Sequence, residues 1–199
     1  MRRAASIALL PMLLFIAACS TSKVSLSYDA KTPVPEAAQA LVSVGSFVDR
    51  RGTDPHWLGA IRSGLGNPIT TLELQNSASE MMQEAFREAL AARGLLVAGK
   101  TGRYALSGTI VKFDCSQLVR REAHADLMVT ITDIETGKVV MDQAFQKSIV
   151  TGEGFTFDAG ILASPEDLKA VAARALRDVI DNVLDSKAFA EIVSGARRG

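Results

Sequence analysis

The sequence has 199 residues, and its 22 Lys and Arg residues balance 22 Asp and Glu residues. This length suits one ordinary domain with a short extension, and the balanced charge argues against a nucleic-acid partner. The 2 Cys residues are too few for a framework of disulfides.

The first nineteen residues carry three features in order. Met1-Arg2-Arg3 is basic, residues 7–18 are almost wholly apolar, and small residues lead into Cys19. This order is typical of a secretory signal peptide. The apolar run of about twelve residues is shorter than the roughly twenty that cross a bilayer as a helix. We therefore predict a cleaved signal peptide over residues 1–18.

Cys19 follows the pair Ala17-Ala18, and this arrangement resembles the lipobox of bacterial lipoproteins. The resemblance implies that the mature chain begins at Cys19 and carries acyl chains on it, which would attach the protein to a membrane. Ser20, rather than Asp, follows the cysteine, so the predicted location is the periplasmic face of the outer membrane. A plain secretory signal with an incidental Cys19 is the alternative.

Residues 19–38 are mostly polar and include Pro33 and Pro35. They predict a lipidated tether without regular structure. Fully extended, some twenty residues reach about 65 Å at most, so the domain, predicted over residues 39–194, would stay near its membrane. Residues 195–199 are expected to fray.

The domain is predicted to start with a strand over residues 39–49, followed by a long irregular segment over residues 50–74. A loop of this length is often functional, and this one holds the only Trp. One interpretation is an interaction surface with an exposed aromatic anchor among basic side chains: Trp57, Arg50, Arg51 and Arg62. The other is that Trp57 and Ile61 cap one end of the core and the arginines are solvated. A short strand over residues 57–62 is also compatible with the pattern.

An amphipathic helix is predicted from a cap at Asn76 or Ser77, with Glu80 three or four residues on as the capping-box partner, to Gly94. A short strand over residues 95–98 follows. Three longer strands are predicted over residues 103–115, 122–134 and 139–150, and the last two are joined by a turn containing Gly137. Their alternating pattern indicates an antiparallel meander with one polar face.

The closing helix is predicted to start at Ser164-Pro165, where Ser caps and Pro occupies the first turn. A long apolar stripe follows, and then a short helix over residues 187–193. Two long amphipathic helices and a one-sided sheet predict an α+β two-layer sandwich, with a mostly antiparallel sheet and both helices on one face.

Residues able to do chemistry are scattered. His56, His124 and Cys115 have no spacing that indicates a metal site, and the motifs of common hydrolases are absent from the sequence. His124 falls on the polar face of its strand. Cys115 is expected to be buried on a strand, with a disulfide between two chains as the alternative. We predict a protein that is not an enzyme and that uses neither a metal nor another cofactor.

The mature chain resembles the YajG-type family of bacterial lipoproteins over nearly its full length. The likeness includes the lipobox and the strand that runs into Asp49-Arg50-Arg51. Further segments also carry it: Leu90-Ala-Ala-Arg-Gly-Leu-Leu-Val97, the alternating strand over residues 123–134, Gly152-Glu153-Gly154-Phe155 and Ala188-Phe189-Ala190-Glu191-Ile192. The longer segment over residues 54–72 departs from the family pattern.

The resemblance implies a small α/β domain, similar to those of other envelope lipoproteins and of the amino-terminal region of TolB. It brings no catalytic residues. The predicted function is a non-enzymatic docking or accessory module that has a membrane and an envelope protein as partners. The alternative is a carrier that binds a small ligand or lipid between the sheet and the helices.

Overall fold

The computed structural model describes residues 20–30, 40–97, 102–152 and 164–196. Within these ranges, strands and helices follow in this order: β1 (Ser20–Val24), β2 (Val42–Asp49), β3 (Trp57–Arg62), β4 (Pro68–Leu74), α1 (Ala78–Ala92), β5 (Tyr104–Gln117), β6 (Arg121–Asp133), β7 (Val139–Thr151), α2 (Pro165–Leu184) and α3 (Lys187–Ala196). The strands form a single sheet in the order β1-β4-β3-β5-β6-β7, with β2 also paired to β5.

An α+β sandwich is confirmed, but the sheet is mixed and not mostly antiparallel. The pairs β1–β4, β2–β5 and β3–β5 are parallel, whereas β3–β4, β5–β6 and β6–β7 are antiparallel. The meander from β5 to β7 was visible in the alternation of apolar residues. The parallel pairs join strands that are distant in the sequence, and a local pattern carries no record of them.

Helices α1 and α2 form where the sequence predicts them. In α1, the Glu80 N–H donates to Ser77 Oγ, and the Ser77 N–H donates back to the Glu80 carboxylate at 3.0 Å. Both helices bury their apolar faces in one core with the inner side chains of the sheet. Arg93 joins them, with its guanidinium 3.0 Å from the Asp181 carboxylate and 2.9 Å from the Asp185 carboxylate. The short helix predicted over residues 187–193 is present as α3 and continues to Ala196.

The predicted tether is in part a component of the fold. Residues 20–24 form β1, parallel to β4, and Val24 and Leu26 are buried in the core. Beyond them, the Tyr28 hydroxyl donates to Asp181 at 2.6 Å, and the Tyr28 N–H donates to Glu88 at 2.6 Å. The polar composition of this segment predicted a linker, whereas its first residues form a strand at the edge of the sheet. Residues 31–39 lie outside the described ranges.

Further elements differ from the sequence prediction in their bounds or type. β3 is the short strand that the pattern left open, and β4 lies within the segment predicted to be a long loop. The strand predicted at residues 95–98 is reduced to a bridge between Leu96 and Val42; residue 98 lies outside the described ranges. Helix α3 extends to Ala196, into the tail predicted to fray, and residues 197–199 are not described.

Candidate functional site

Six strands place one residue each in a continuous row across the sheet. Successive partners in the pairing register are Ser20, Thr70, Ile61, Gln117, Arg121 and Thr151. The turns that join β3 to β4 (residues 63–67) and β5 to β6 (residues 118–120) both lie just beyond this row. We call the row and these two turns the Ser20 end of the sheet.

Cys19, the predicted lipidation site, lies outside the described residues, but it is bonded to Ser20. Consecutive Cα atoms are about 3.8 Å apart, and β1 begins at Ser20, the next residue in the sequence. The strand pairing of Ser20 with Thr70, supported by a 2.9 Å hydrogen bond between their side chains, leaves no spacer between Cys19 and the folded sheet.

The Ser20 end exposes large apolar side chains. Leu65, in the first turn, is 91% exposed, and Leu118 and Val119, in the second, are 43% and 40% exposed. The first turn is held by a hydrogen bond from the Ser63 N–H to the Asn67 carbonyl at 2.8 Å. Arg62 donates to the Gly66 carbonyl at 3.1 Å. Leu65 is therefore displayed by an ordered turn.

The interaction surface predicted around Trp57 is divided by the fold. Trp57 begins β3 and is half-buried, and the nearby Arg50 is exposed. Arg62 ends the same strand, about 17 Å away at the usual rise per residue. Arg62 thus belongs to the Ser20 end, whereas Trp57 and Arg50 lie away from it.

Arg51 corrects the prediction of an exposed contact residue, because its side chain is only 3% exposed. Its guanidinium pairs with the Asp49 carboxylate at 2.9 Å and donates to the carbonyls of Trp57 at 2.8 Å and Phe113 at 3.0 Å. Burial raises the pKa of Asp49, but the hydrogen bonds and charge of Arg51 outweigh this and leave it below its ordinary value.

The buried position of Arg51 follows from the way β5 shares its edge. β2 pairs with the first half of β5 as far as Ile110, and β3 pairs with β5 from Cys115 onward. Between these partners the Phe113 carbonyl would face no strand, and the guanidinium of Arg51 binds it instead. The sequence shows a pair of arginines after a strand, but only the shared edge distinguishes Arg51 from Arg50.

The sheet has an open face on the side opposite α1 and α2. It carries polar residues of β5, β6 and β7: Lys112, Asp114, His124, Asp126, Thr130, Asp142, Gln146 and Ser148. Asp114, His124 and Ser148 are cross-strand neighbours, and His124 Nδ1 lies 2.8 Å from Ser148 Oγ. Burial raises the pKa of Asp114, against the opposing charges of Lys112 and His124.

Ser148, His124 and Asp114 are the residue types of a hydrolase triad, but they do not have its geometry. In such a triad Nε2 faces the serine and Nδ1 faces the acid, whereas here Nδ1 is bonded to Ser148. The three side chains therefore form a line of polar groups across β5, β6 and β7. The alternation of β6 identified the face of His124, but not its neighbours on other strands.

Cys115 is buried, which confirms the sequence prediction. Burial raises the pKa of its thiol to about 12, and the neighbouring Asp114 adds to the effect. A thiol that stays protonated is a poor nucleophile and metal ligand. In the described part of the chain, no group of three or more side chains is arranged to hold a metal ion.

A small cavity of about 130 Å³ lies where the segment after β1 meets α1. Its lining combines apolar and acidic side chains, including Leu26, Leu74, Met81, Glu84 and Glu88. Ligand sites usually measure about 300–1,000 Å³, so this cavity is large enough for a molecule of a few atoms but too small for a lipid. Among the described helices, none combines the length and apolar character needed to cross a bilayer.

Comparison with known proteins gives fold similarity only. No family model and no curated protein matches the sequence. The solved structure of protein XCC0632 from Xanthomonas campestris, family DUF330, is similar with a TM-score of 0.64 and 15% identity, covering 89% of this chain and 99% of that one. A protein described as uncharacterized is similar at a TM-score of 0.52 and 11% identity, covering 85% and 99%.

The PelC dodecamer from Paraburkholderia phytofirmans gives a TM-score of 0.45 and 18% identity, covering 75% of this chain and 91% of that one. This score is too low to support an inference. The two higher scores show that the fold occurs in other proteins, and the resemblance to the YajG-type family stays a prediction.

Proposed function

We propose that the protein is a lipoprotein of the bacterial envelope, acylated on Cys19, that works as a non-enzymatic docking or accessory module. The observation that carries this proposal is the start of β1 at Ser20, directly after the lipobox. An acyl anchor on Cys19 would be joined to the sheet without a spacer. The module would therefore work at the membrane surface, and Ser20 favours the outer membrane as its location.

The open face is the surface that we assign to an envelope protein. Its side chains carry charges of both signs and hydroxyl and amide groups, and they are partly or fully exposed on β5, β6 and β7. These strands run away from the Ser20 end for up to about 40 Å at the usual rise per residue. The face can thus receive a polar partner above the membrane.

Metabolic labelling with an alkyne fatty acid tests the anchor. Wild-type protein should carry the label, and Cys19→Ala should lose it. Cys115→Ala is the matched control and should keep it, because the second cysteine is buried in the core. Label that persists on Cys19→Ala, or an unlabelled wild type, refutes the lipoprotein assignment. Separation of inner and outer membranes then tests the location.

Photocrosslinking in intact cells tests the docking role. A photoreactive residue at Gln146 reports on the open face, and one at Trp57 reports on the half-buried aromatic. Arg174, whose side chain is exposed on α2, is the control position. Docking predicts a discrete adduct at Gln146 or Trp57 that Arg174 lacks. If the three positions give the same pattern, the docking role is refuted for both surfaces.

A carrier of small ligands is the second candidate, because the cavity between α1 and the segment after β1 is accessible. Its volume and the carboxylates of Glu84 and Glu88 argue against a fatty acid or an intact lipid. Native mass spectrometry of the protein purified from membranes would support this function by detecting a non-covalent ligand that Met81→Trp, which fills the cavity, excludes.

A further inference from the structure

The two turns of the Ser20 end expose apolar side chains to solvent, Leu65 above all. We propose that turns 63–67 and 118–120 rest on the same bilayer that holds the acyl chains of Cys19, with Leu65 reaching the acyl region. The inference deepens the proposed function and rests on it, because it needs acylation of Cys19. It adds a second contact with the membrane and a fixed orientation.

The pairing register supplies the first argument. Ser20, Thr70, Ile61 and Gln117 lie in one row. Because β1 and β4 are parallel and β3 and β5 run in the opposite direction to them, β1 starts at the edge of the sheet where β3 and β5 end, so the chain beyond Ile61 and beyond Gln117 lies on the side from which the chain enters Ser20. The anchor and the two turns therefore leave the sheet on the same side.

The missing spacer decides between a lipid and a protein as the occupant. If Cys19 lies at the lipid headgroups, Ser20 lies within one residue of them. A protein domain does not fit between the row and the bilayer under this restraint. The lipid surface is the one occupant that the anchor itself brings to these turns.

The side chains of the turns suit that surface. Leu65, Leu118 and Val119 offer apolar contacts, and Arg62 and Arg120 are placed beside them to meet anionic headgroups. Arg121 is engaged with Asp167 at 2.8 Å and is left out of the proposal. Neighbouring strands in a sheet are rotated by about 20–25° relative to each other. Over the three steps from β3 to β7 this rotation accumulates and turns the end of β7 away from the two turns, so β7 is also left out of the proposal.

The opposite end of the sheet provides a comparison. Val139, at the start of β7, is 59% exposed and pairs with Thr132, near the far end of β6. It lies about 40 Å along β7 from the row residue Thr151. An upright domain should hold Val139 well away from the bilayer while Leu65 touches it.

Quenching of tryptophan fluorescence by brominated lipids tests the proposal. The acylated full-length product is reconstituted in phosphatidylethanolamine–phosphatidylglycerol vesicles with or without brominated acyl chains. Wild type, with Trp57 as its only tryptophan, gives the baseline. We expect Leu65→Trp to add emission that shifts to the blue on reconstitution and is largely lost in brominated vesicles. Val139→Trp should add emission that brominated lipid leaves unchanged.

Leu118→Trp, at the second turn, is a further reporter in case Leu65→Trp fails to fold, and it should be quenched likewise. Mass spectrometry of the same samples measures acylation of Cys19. Acylated protein without quenching at either turn overturns this inference and leaves the proposed function standing. Equal quenching at residues 65 and 139 overturns the upright orientation, and absence of acylation overturns both proposals.

Discussion

The guanidinium of Arg51 forms a two-point contact with the carboxylate of Asp49, with Nε at 2.9 Å from one oxygen and the second terminal nitrogen at 2.9 Å from the other. The pair closes the gap where β5 changes partner from β2 to β3. The planar guanidinium of Arg51 also donates hydrogen bonds to the carbonyls of Trp57 and Phe113. A single buried side chain thus satisfies acceptors from three parts of the chain.

Arg51→Lys is expected to destabilise the fold by about 3 kcal/mol, because an ammonium cannot reproduce the planar guanidinium and leaves buried acceptors unpaired. Chemical denaturation measures the free energy of unfolding. Arg50→Lys is the matched control, because Arg50 is exposed, and it should change this free energy by less than about 0.5 kcal/mol. Equal effects of the two substitutions would contradict the role given to Arg51.

Asp49→Asn is expected to alter the response to acid. Since the pKa of Asp49 is lowered from 3.8 in the folded state, the unfolded state binds the proton more readily. The stabilisation is then present above pH 3.8 and lost as the pH falls through the folded-state pKa. The stability difference between wild type and Asp49→Asn should therefore shrink over the interval below pH 3.8. A difference that stays constant over this interval contradicts the ion pair as its source.

Gly59→Ala should be among the most damaging single-methyl additions in the chain. A Cβ at this position would lie 1.9 Å from the Cys115 carbonyl oxygen, so β3 and β5 would have to separate. We expect a loss of at least about 3 kcal/mol, measured as a fall in melting temperature. Gly64→Ala is the control, since a Cβ there meets nothing within 4 Å. Normal stability of Gly59→Ala would show that the two strands are farther apart.

The sequence predicted the elements with strong local signals. Glu80, with Asn76 or Ser77 before it, marked the start of α1, where the structure shows Ser77 as the cap. The alternation of β6 and the apolar stripe of α2 each record burial within one segment. β1 has no comparable signal, because Ser20-Thr21-Ser22-Lys23 is polar and becomes a strand only by pairing with β4. β4 likewise lies in a segment whose local pattern indicates a loop, and it is a strand because it pairs with β1 and β3.

The candidate site was less accessible from the sequence than the fold. Cys19 stands out by its local context, but the position of Ser20 at the end of the sheet that carries Leu65 and Leu118 depends on the pairs β1–β4, β3–β4 and β3–β5. Leu65 sits between two glycines, in a pattern that predicts only a turn. Likewise, Arg50 and Arg51 are equivalent in the sequence, and the partner change on β5 makes them different.

Tyr28→Phe tests whether the segment after β1 is fixed to the helices. The hydroxyl of Tyr28 donates to Asp181, so its removal should cost about 1 kcal/mol and increase hydrogen exchange in residues 20–30. Burial and this hydrogen bond raise the pKa of Tyr28 from 10.0 to about 12. Its contribution should thus be complete below pH 10 and be lost as the pH rises toward 12. Wild-type exchange rates in Tyr28→Phe would contradict the docking of this segment.

A flexible spacer after Cys19 tests the importance of the direct connection to β1. Ten Gly and Ser residues inserted between Cys19-Ser20 and a repeated Ser20 keep the residue after the cysteine and allow the domain to move about 17 Å from the anchor. Acylation should persist. The blue shift and bromine quenching of Leu65→Trp should weaken, because the local concentration of the turn at the bilayer falls.

Insertion of the same segment between Thr136 and Gly137, in the turn between β6 and β7, is the control and should leave the quenching intact. If the spacer after Ser20 leaves it unchanged as well, the turns bind lipid strongly enough by themselves, and the direct connection of Cys19 to β1 does not determine the orientation of the domain.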